Sequence, residues 1–164
     1  MSVDQLNSRC ASSAVLPATA KGVMTLLKAY KIPIEGKRVL VVGKSMLVGR
    51  PVAMLLLHEG ATVTIAHSKT GDLAKVCRES DIIVVAVGKV NLITKDCVRP
   101  GQVIVDVGIN SLGESRITGD VAFDEVSQIV HAISPVPGGA GPMTITSLFE
   151  NLVRTAELKR PKKK

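Results

Sequence analysis

Arg38-Val-Leu-Val-Val-Gly-Lys-Ser-Met-Leu-Val-Gly-Arg-Pro51 decides the fold, because it passes from an apolar strand pattern through a glycine turn into a helix. Arg38–Val42 reads as a buried strand ending at Gly43, and Pro51 suits the first turn of a helix that carries Val52, Leu55 and Leu56 as far as Gly60. Working outward, the pattern repeats. Upstream, Thr19 can cap a helix with Val23, Leu26, Leu27 and Tyr30 on one face, stopped by Pro33. Downstream come a strand over Thr62–Ala66, a short helix from Asp72 with Leu73, Val76 and Cys77 inward, and apolar strands over Ile82–Val87 and Val103–Val107 that end at Gly88 and Gly108. Phe123, Val126 and Ile129 predict one more short helix before a fifth strand over Ile129–Ile133. This alternation predicts an α/β, Rossmann-like doubly wound parallel sheet with helices on both faces.

Composition is consistent with a single core-forming domain. In 164 residues, 46% are hydrophobic and 2% aromatic, so Ala, Val, Ile and Leu must fill the interior. No apolar stretch is long enough to span a membrane, and no basic-then-apolar leader opens the chain, so the sequence predicts a soluble, cytoplasmic protein without membrane partners. Cys10, Cys77 and Cys97 are odd in number and widely spaced, which favours reduced thiols over a disulfide or metal framework. Of the net charge of +7, five come from Lys159, Arg160, Lys162, Lys163 and Lys164, which leaves +2 on the body. Residues 159–164 therefore read as a basic tail rather than part of a nucleic-acid surface, and no nucleic-acid partner is expected.

Two stretches point to a ligand. In Ser134-Pro-Val-Pro-Gly-Gly-Ala-Gly-Pro-Met-Thr144, six of eleven residues are proline or glycine. Such a run predicts a shaped loop between the fifth strand and an amphipathic helix over Met143–Leu158, where open α/β sheets bind ligands. A stiff surface turn is the alternative. The turn from Gly43 to Gly49 is a relative of the dinucleotide fingerprint in which Ser45 and Val48 replace the second and third glycines and Gly49 comes one residue late. A site preferring NAD places an acid at the end of the second strand; here stand Ala66-His67-Ser68-Lys69-Thr70. With Lys44 close by, His67 and Ser68 favour a 2′-phosphate and hence NADP, although an ordinary polar loop has the same composition. Val87, Gly88, Gly108 and Ile109 end later strands on the same edge and border the cofactor in this reading.

These residues resemble the bifunctional methylenetetrahydrofolate dehydrogenase/methenyltetrahydrofolate cyclohydrolase family. The matching runs are Pro17–Gly22, Val42–Pro51, His67–Thr70, Val105–Asn110, Gly119–Val121 and Pro135–Thr144, in order over nearly the whole chain. Ala140 stands where the family usually has Val, Ala20 where it often has Pro, and Lys44 where several relatives carry Arg. The resemblance implies an NAD(P)-binding domain over residues 17–158 behind a short lead-in of residues 1–16. It implies cofactor contacts at Gly43, Lys44, Ser45, Gly49, His67, Ser68, Val87, Gly88, Gly108, Ile109 and Thr144, and a folate-facing wall of Pro137, Gly138 and Gly139. It further implies homodimers, a role in one-carbon metabolism that includes purine biosynthesis, no metal, and a parent enzyme that is cytoplasmic or mitochondrial.

The family's catalytic Lys lies in a Tyr-x-x-x-Lys motif on an amino-terminal folate domain. Here the single tyrosine, Tyr30, is followed four residues later by Ile34, so no catalytic residue is expected within this sequence. Residues 1–16 are too short for that domain, and the chain is expected to be inactive alone. A stand-alone dinucleotide-binding regulatory module is the other reading. His58 is expected to complement a helix C-terminus and His131 to sit within the fifth strand. Asp106 is expected to hold a loop by accepting backbone N–H bonds, Asp120 either to do the same or to face the cleft, and Arg50 is left as a candidate phosphate contact.

Overall fold

The computed structural model describes residues 15–113 and 116–159. The lead-in up to residue 14, with Cys10, and the basic tail beyond Lys159 lie outside the described residues. Five parallel strands form the main sheet: β1 (Arg38–Val42), β2 (Thr62–Ala66), β3 (Ile82–Val85), β4 (Val103–Asp106) and β7 (Ala132–Ile133). A two-residue antiparallel ladder, β5 (Asn110–Ser111) with β6 (Ile117–Thr118), projects between β4 and β7. The sheet order is β2-β1-β3-β4-β7. Because the chain leaves β1 to one side for β2 and then crosses to the other for β3, the switch point lies between the carboxyl ends of β1 and β3.

The apolar runs are continuous because both faces of this sheet are covered. Val39, Val41, Ile82, Val84, Val103 and Val105 face a layer made by α1 (Ala18–Ala29), α2 (Gly49–His58) and the start of α5 (Ala140–Lys159). The alternate residues Leu40, Val42, Ile83, Val85 and Ile104 face α3 (Leu73–Arg78), the short 3₁₀ turn Lys95–Cys97 and α4 (Phe123–Val126). Leu40 and Ile83 are fully buried, and each such side chain contributes about 1.5–3 kcal/mol relative to exposure. Asp72 caps α3 by accepting the Lys75 N–H at 2.9 Å.

Several boundaries differ from the sequence expectation. The N-cap of α1 is Pro17 rather than Thr19, and the helix ends at Ala29, before Pro33. Lys31 adopts φ 54°, and its N–H and that of Ile32 bond back to Lys28 and Leu27. This left-handed ending turns Tyr30 outward, 75% exposed, away from the face it was expected to join. Helix α2 starts at Gly49, two residues ahead of Pro51. Strands β3 and β4 stop at Val85 and Asp106, since the chain beyond them turns to meet carboxylates described below. The fifth strand is only Ala132–Ile133, so His131 lies just before it and is exposed. Gly141 and Pro142 belong to the first turn of α5, where a proline needs no intrahelical N–H partner.

Helix α5 is amphipathic, but the side facing this domain is the polar one. Ser147 and Asn151 are buried, Asn151 donates to the Leu16 carbonyl at 2.7 Å, and Lys21 pairs with Glu150 at 2.7 Å. Gly22 of α1 brings the helices close, since a Cβ there would lie 2.9 Å from the Met143 carbonyl carbon. Ile145, Leu148, Phe149, Leu152 and Val153 project outward at helical spacing and are exposed.

Candidate dinucleotide-binding site

Parallel strands place every loop that follows a strand on one edge, and this brings the sequence-derived residues together there. The β1 loop is shaped by two close approaches. Gly43 has φ 121°, and a Cβ on it would lie 2.3 Å from the Ala86 carbonyl oxygen. A Cβ on Gly49 would lie 2.0 Å from the Gly43 carbonyl oxygen, so the late glycine allows the start of α2 to touch the end of β1. That is the packing role of the third glycine in the fingerprint.

Ser45 shapes the start of α2. Its hydroxyl accepts from the N–H groups of Val48 at 3.1 Å and Gly49 at 3.2 Å, while the Ser45 carbonyl accepts from Arg50 at 3.0 Å. The N–H groups of Val48 and Gly49 at the start of α2 are thus capped internally, and the Ser45 O–H, which accepts through its lone pairs, keeps its own proton to donate. What the loop leaves open is its crest. Among the described residues, no internal acceptor takes the N–H groups of Lys44, Met46 or Leu47, and all three residues are exposed. The exposed Arg50 contacts the Met46 sulfur through its guanidinium.

At the end of β2, His67 to Thr70 form a closed turn. The His67 N–H bonds to the Thr70 hydroxyl at 2.9 Å, the Thr70 N–H to the His67 carbonyl at 2.8 Å, and the Lys69 N–H to His67 Nδ1 at 3.1 Å. With Nδ1 accepting, Nε2 is the ring nitrogen left to donate. His67, Ser68 and Lys69 are exposed, and the turn offers donors with no carboxylate.

Two buried aspartates organise the β3 and β4 ends. Asp120, fully buried, accepts from the N–H groups of Val87 at 2.7 Å, Gly88 at 2.9 Å and Lys89 at 2.8 Å, and from Asn110 Nδ2 at 2.9 Å. Asp106 accepts from Gly108 at 2.9 Å, from the Asp120 N–H at 3.1 Å and from Val121 at 2.9 Å. Burial pushes the Asp106 carboxyl above the usual carboxylate range, against the pull of those three N–H groups. Gly108 and Gly119 make room for the arrangement, since a Cβ on either would collide with the Asp120 or Asp106 carboxylate respectively. Gly108 is accordingly buried, whereas Val87, Gly88 and Ile109 are exposed on the rim. Both carboxylates accept backbone N–H bonds and hold loops, as the sequence led one to expect, but which loops they hold was not legible.

The loop after β7 runs from Ser134 to Gly139, with a cis peptide between Val136 and Pro137. Gly138 has φ 106° and is exposed; Gly139 is buried, and a Cβ on it would lie 2.5 Å from the Pro135 carbonyl oxygen. Gly139 is therefore required first by the loop's own path. An apolar cavity of about 310 Å³ lies beside this loop and the edge strand β7, bounded also by Leu26, Leu27 and Tyr30 of the α1 end. Gly138 and Gly139 line it and Pro137 does not. None of its lining residues belongs to the loops that follow β1 and β3. Thr144 lies in the first turns of α5, its hydroxyl bonded to the Ala140 carbonyl at 3.0 Å. His58 ends α2 as a basic C-terminal residue.

A model of the NAD(P)-binding domain of tetrahydrofolate dehydrogenase/cyclohydrolase matches residues 17–160. The chain belongs to this family. It is 55% identical over 141 residues to the bifunctional protein FolD of Burkholderia thailandensis, covering 86% of this chain and 50% of that protein. Among solved structures, it superposes on the bifunctional FolD dehydrogenase/cyclohydrolase of Campylobacter jejuni with a TM-score of 0.86 at 52% identity, covering 88% of this chain and 51% of that one. The Trypanosoma brucei dehydrogenase-cyclohydrolase, solved with NADP cofactor and an inhibitor, gives a TM-score of 0.86 at 38% identity, covering 96% and 57%. The chain thus spans about half the length of the family relatives it matches, and the half it spans is the NAD(P)-binding domain.

Proposed function

We propose that this chain holds NADP for oxidation of 5,10-methylenetetrahydrofolate and hydrolysis of the methenyl product, acting together with a folate domain that carries the family's catalytic Lys. The observation that carries the reading is the crevice at the switch point. Backbone approaches closely at Gly43 and Gly49, the amides of Lys44, Met46 and Leu47 lie open for a pyrophosphate, and the β2 end presents His67 and Ser68. These residues fit the cofactor: the donors suit a 2′-phosphate, and no acid stands there to repel one. NADP, when bound, supplies the hydride acceptor. In this reading Val87, Gly88, Gly108, Ile109 and Thr144 border it and Pro137, Gly138 and Gly139 face the folate.

The exposed stripe Ile145, Leu148, Phe149, Leu152 and Val153 favours a half-enzyme over a stand-alone regulatory module, because five apolar side chains on one helix face need a cover. Homodimers through this domain belong to the same proposal, with Leu112 and Ile117 as apolar surface available near the β5–β6 hairpin. So does a cytoplasmic place in one-carbon metabolism serving purine biosynthesis. Among the described residues no helix is long and apolar enough to cross a membrane.

Competitive titration of the chain with NADP and NAD tests the cofactor assignment. NADP should bind more tightly, and Lys44→Ala should weaken NADP about tenfold or more, as expected for loss of a charge-assisted contact, while sparing NAD. Equal losses for both would refute it.

A further inference from the structure

We propose that Asp120 is a positioning residue of the nucleotide crevice, holding the β3 rim so that the rim receives the part of the dinucleotide farthest from its 2′-phosphate. The inference rests on the dinucleotide-binding reading above. Three consecutive backbone N–H groups converging on one point make an anion nest, which a phosphate normally fills. Here Val87, Gly88 and Lys89 converge on the Asp120 carboxylate, at 2.7–2.9 Å. The rim cannot then cradle a phosphate through those amides. It offers carbonyl oxygens and the half-exposed Val87 side chain, which suit hydroxyl groups and a ring face. The open amides of Lys44, Met46 and Leu47 are left as the anion site, one strand away.

The strand order then assigns the ends. His67 and Ser68 follow β2, the open amides follow β1, and the Asp120-held rim follows β3, so the sheet order β2-β1-β3 runs from the 2′-phosphate through the pyrophosphate to the remaining half. Asp120 is fixed for this task. Its own N–H is gripped by Asp106 at 3.1 Å, Asn110 Nδ2 bonds its Oδ1 at 2.9 Å, and the absent Cβ of Gly108 leaves space for its carboxylate. Bonds from backbone to a buried charge are the strong kind, so the rim is held rather than merely touched.

Asp120→Asn is nearly isosteric but turns two donors toward a set of donors, which should release the rim. Titrating the 164-residue chain with NADP and with 2′,5′-ADP, which has only the phosphorylated adenosine end, separates positioning from general damage. NADP affinity should fall on the order of tenfold to a hundredfold. That for 2′,5′-ADP should stay within about twofold of wild type, the scatter expected for a site with no shared partner. Equal loss of both, or loss of neither, overturns the proposal. If wild type binds neither probe, the dinucleotide reading itself has failed, which is distinct from wild type binding both and the variant showing no split. Should Asp120→Asn fail to fold, the wild-type amide resonances of Val87, Gly88 and Lys89 decide. They should shift on adding NADP and stay in place with 2′,5′-ADP, and indifference to NADP overturns the inference.

Discussion

Gly49→Ala should cost this protein about 2–3 kcal/mol, although alanine is intrinsically the better helix residue. The added Cβ would lie 2.0 Å from the Gly43 carbonyl oxygen and 2.7 Å from its carbon, where real Cβ atoms stay beyond 3.0 Å. Relief requires α2 and the end of β1 to separate by about 1 Å, and neither can move alone. Gly43 is itself pressed against Ala86, while Val52 and Leu56 anchor α2 with no exposed surface. Overpacking costs about 1–3 kcal/mol and occasionally more; with backbone as the obstacle the cost here is about 3–4, of which the helix preference of Ala over Gly returns about 1. For a chain of this size each kcal/mol lowers Tm by about 2–4 °C, so a loss of roughly 4–12 °C is expected. Urea unfolding should show a lower midpoint at unchanged slope. Gly71→Ala is the control: a Cβ there meets nothing within 4 Å, and its effect should stay within about 0.5 kcal/mol. If the two variants prove equally stable, the close approach of α2 to β1 is wrong.

Residues 1–164 alone should show no oxidation of methylenetetrahydrofolate or hydrolysis of its methenyl form above background while still binding NADP, because lack of even one general acid/base typically costs about 10²–10⁴ in rate. Adding the folate domain, fused or in trans, should restore turnover followed by NADPH formation, and robust turnover without it would place a replacement for the missing lysine within this chain. Burial pushes the Cys77 thiol up to about 12, with Cys97 adding to the effect. Iodoacetamide at pH 8 should therefore leave Cys77 unlabelled by mass spectrometry until the protein is unfolded. Asp81 is held below the usual carboxylate range by the Arg38 N–H at 3.0 Å and by Arg99, also at 3.0 Å. A depressed carboxylate stabilises above its unfolded pKa and loses that contribution as pH falls through the folded one, so Asp81→Asn should cost about 1 kcal/mol at pH 7 and close on wild type below about pH 4.

How much was legible beforehand follows from the range over which each cause acts. Arg38–Val42 and Thr62–Ala66 were readable to the residue because a short run of β-branched and aliphatic side chains bounded by turn residues needs no distant information to declare a strand, although only the first is buried and Thr62–Ala66 is the largely exposed edge. Asp72 announced its helix for the same reason, since a cap and its N–H partner lie three residues apart. Six runs, the Gly43–Gly49 turn and the Pro135–Thr144 run among them, carried the family resemblance and marked the edge of the sheet proposed to take a ligand. The strand ends at Val85 and Asp106 were misplaced because Val87 and Val107 are as apolar as the strands they follow; hydrogen bonds to Asp120, 33 residues on, are what bend the chain away after β3. Likewise nothing in the fingerprint announced that the Ser45 hydroxyl caps α2, and only the fold showed it. The pattern of α5 showed that the helix has two faces without showing which one turns inward, and packing against α1 chose the polar one. The sequence by itself determined the order of the elements, the family and the loops proposed to bind, because periodicity and turn chemistry are local. Tertiary structure alone decided which amides stay open and which are taken by buried carboxylates, because those partners meet only when the sheet has closed.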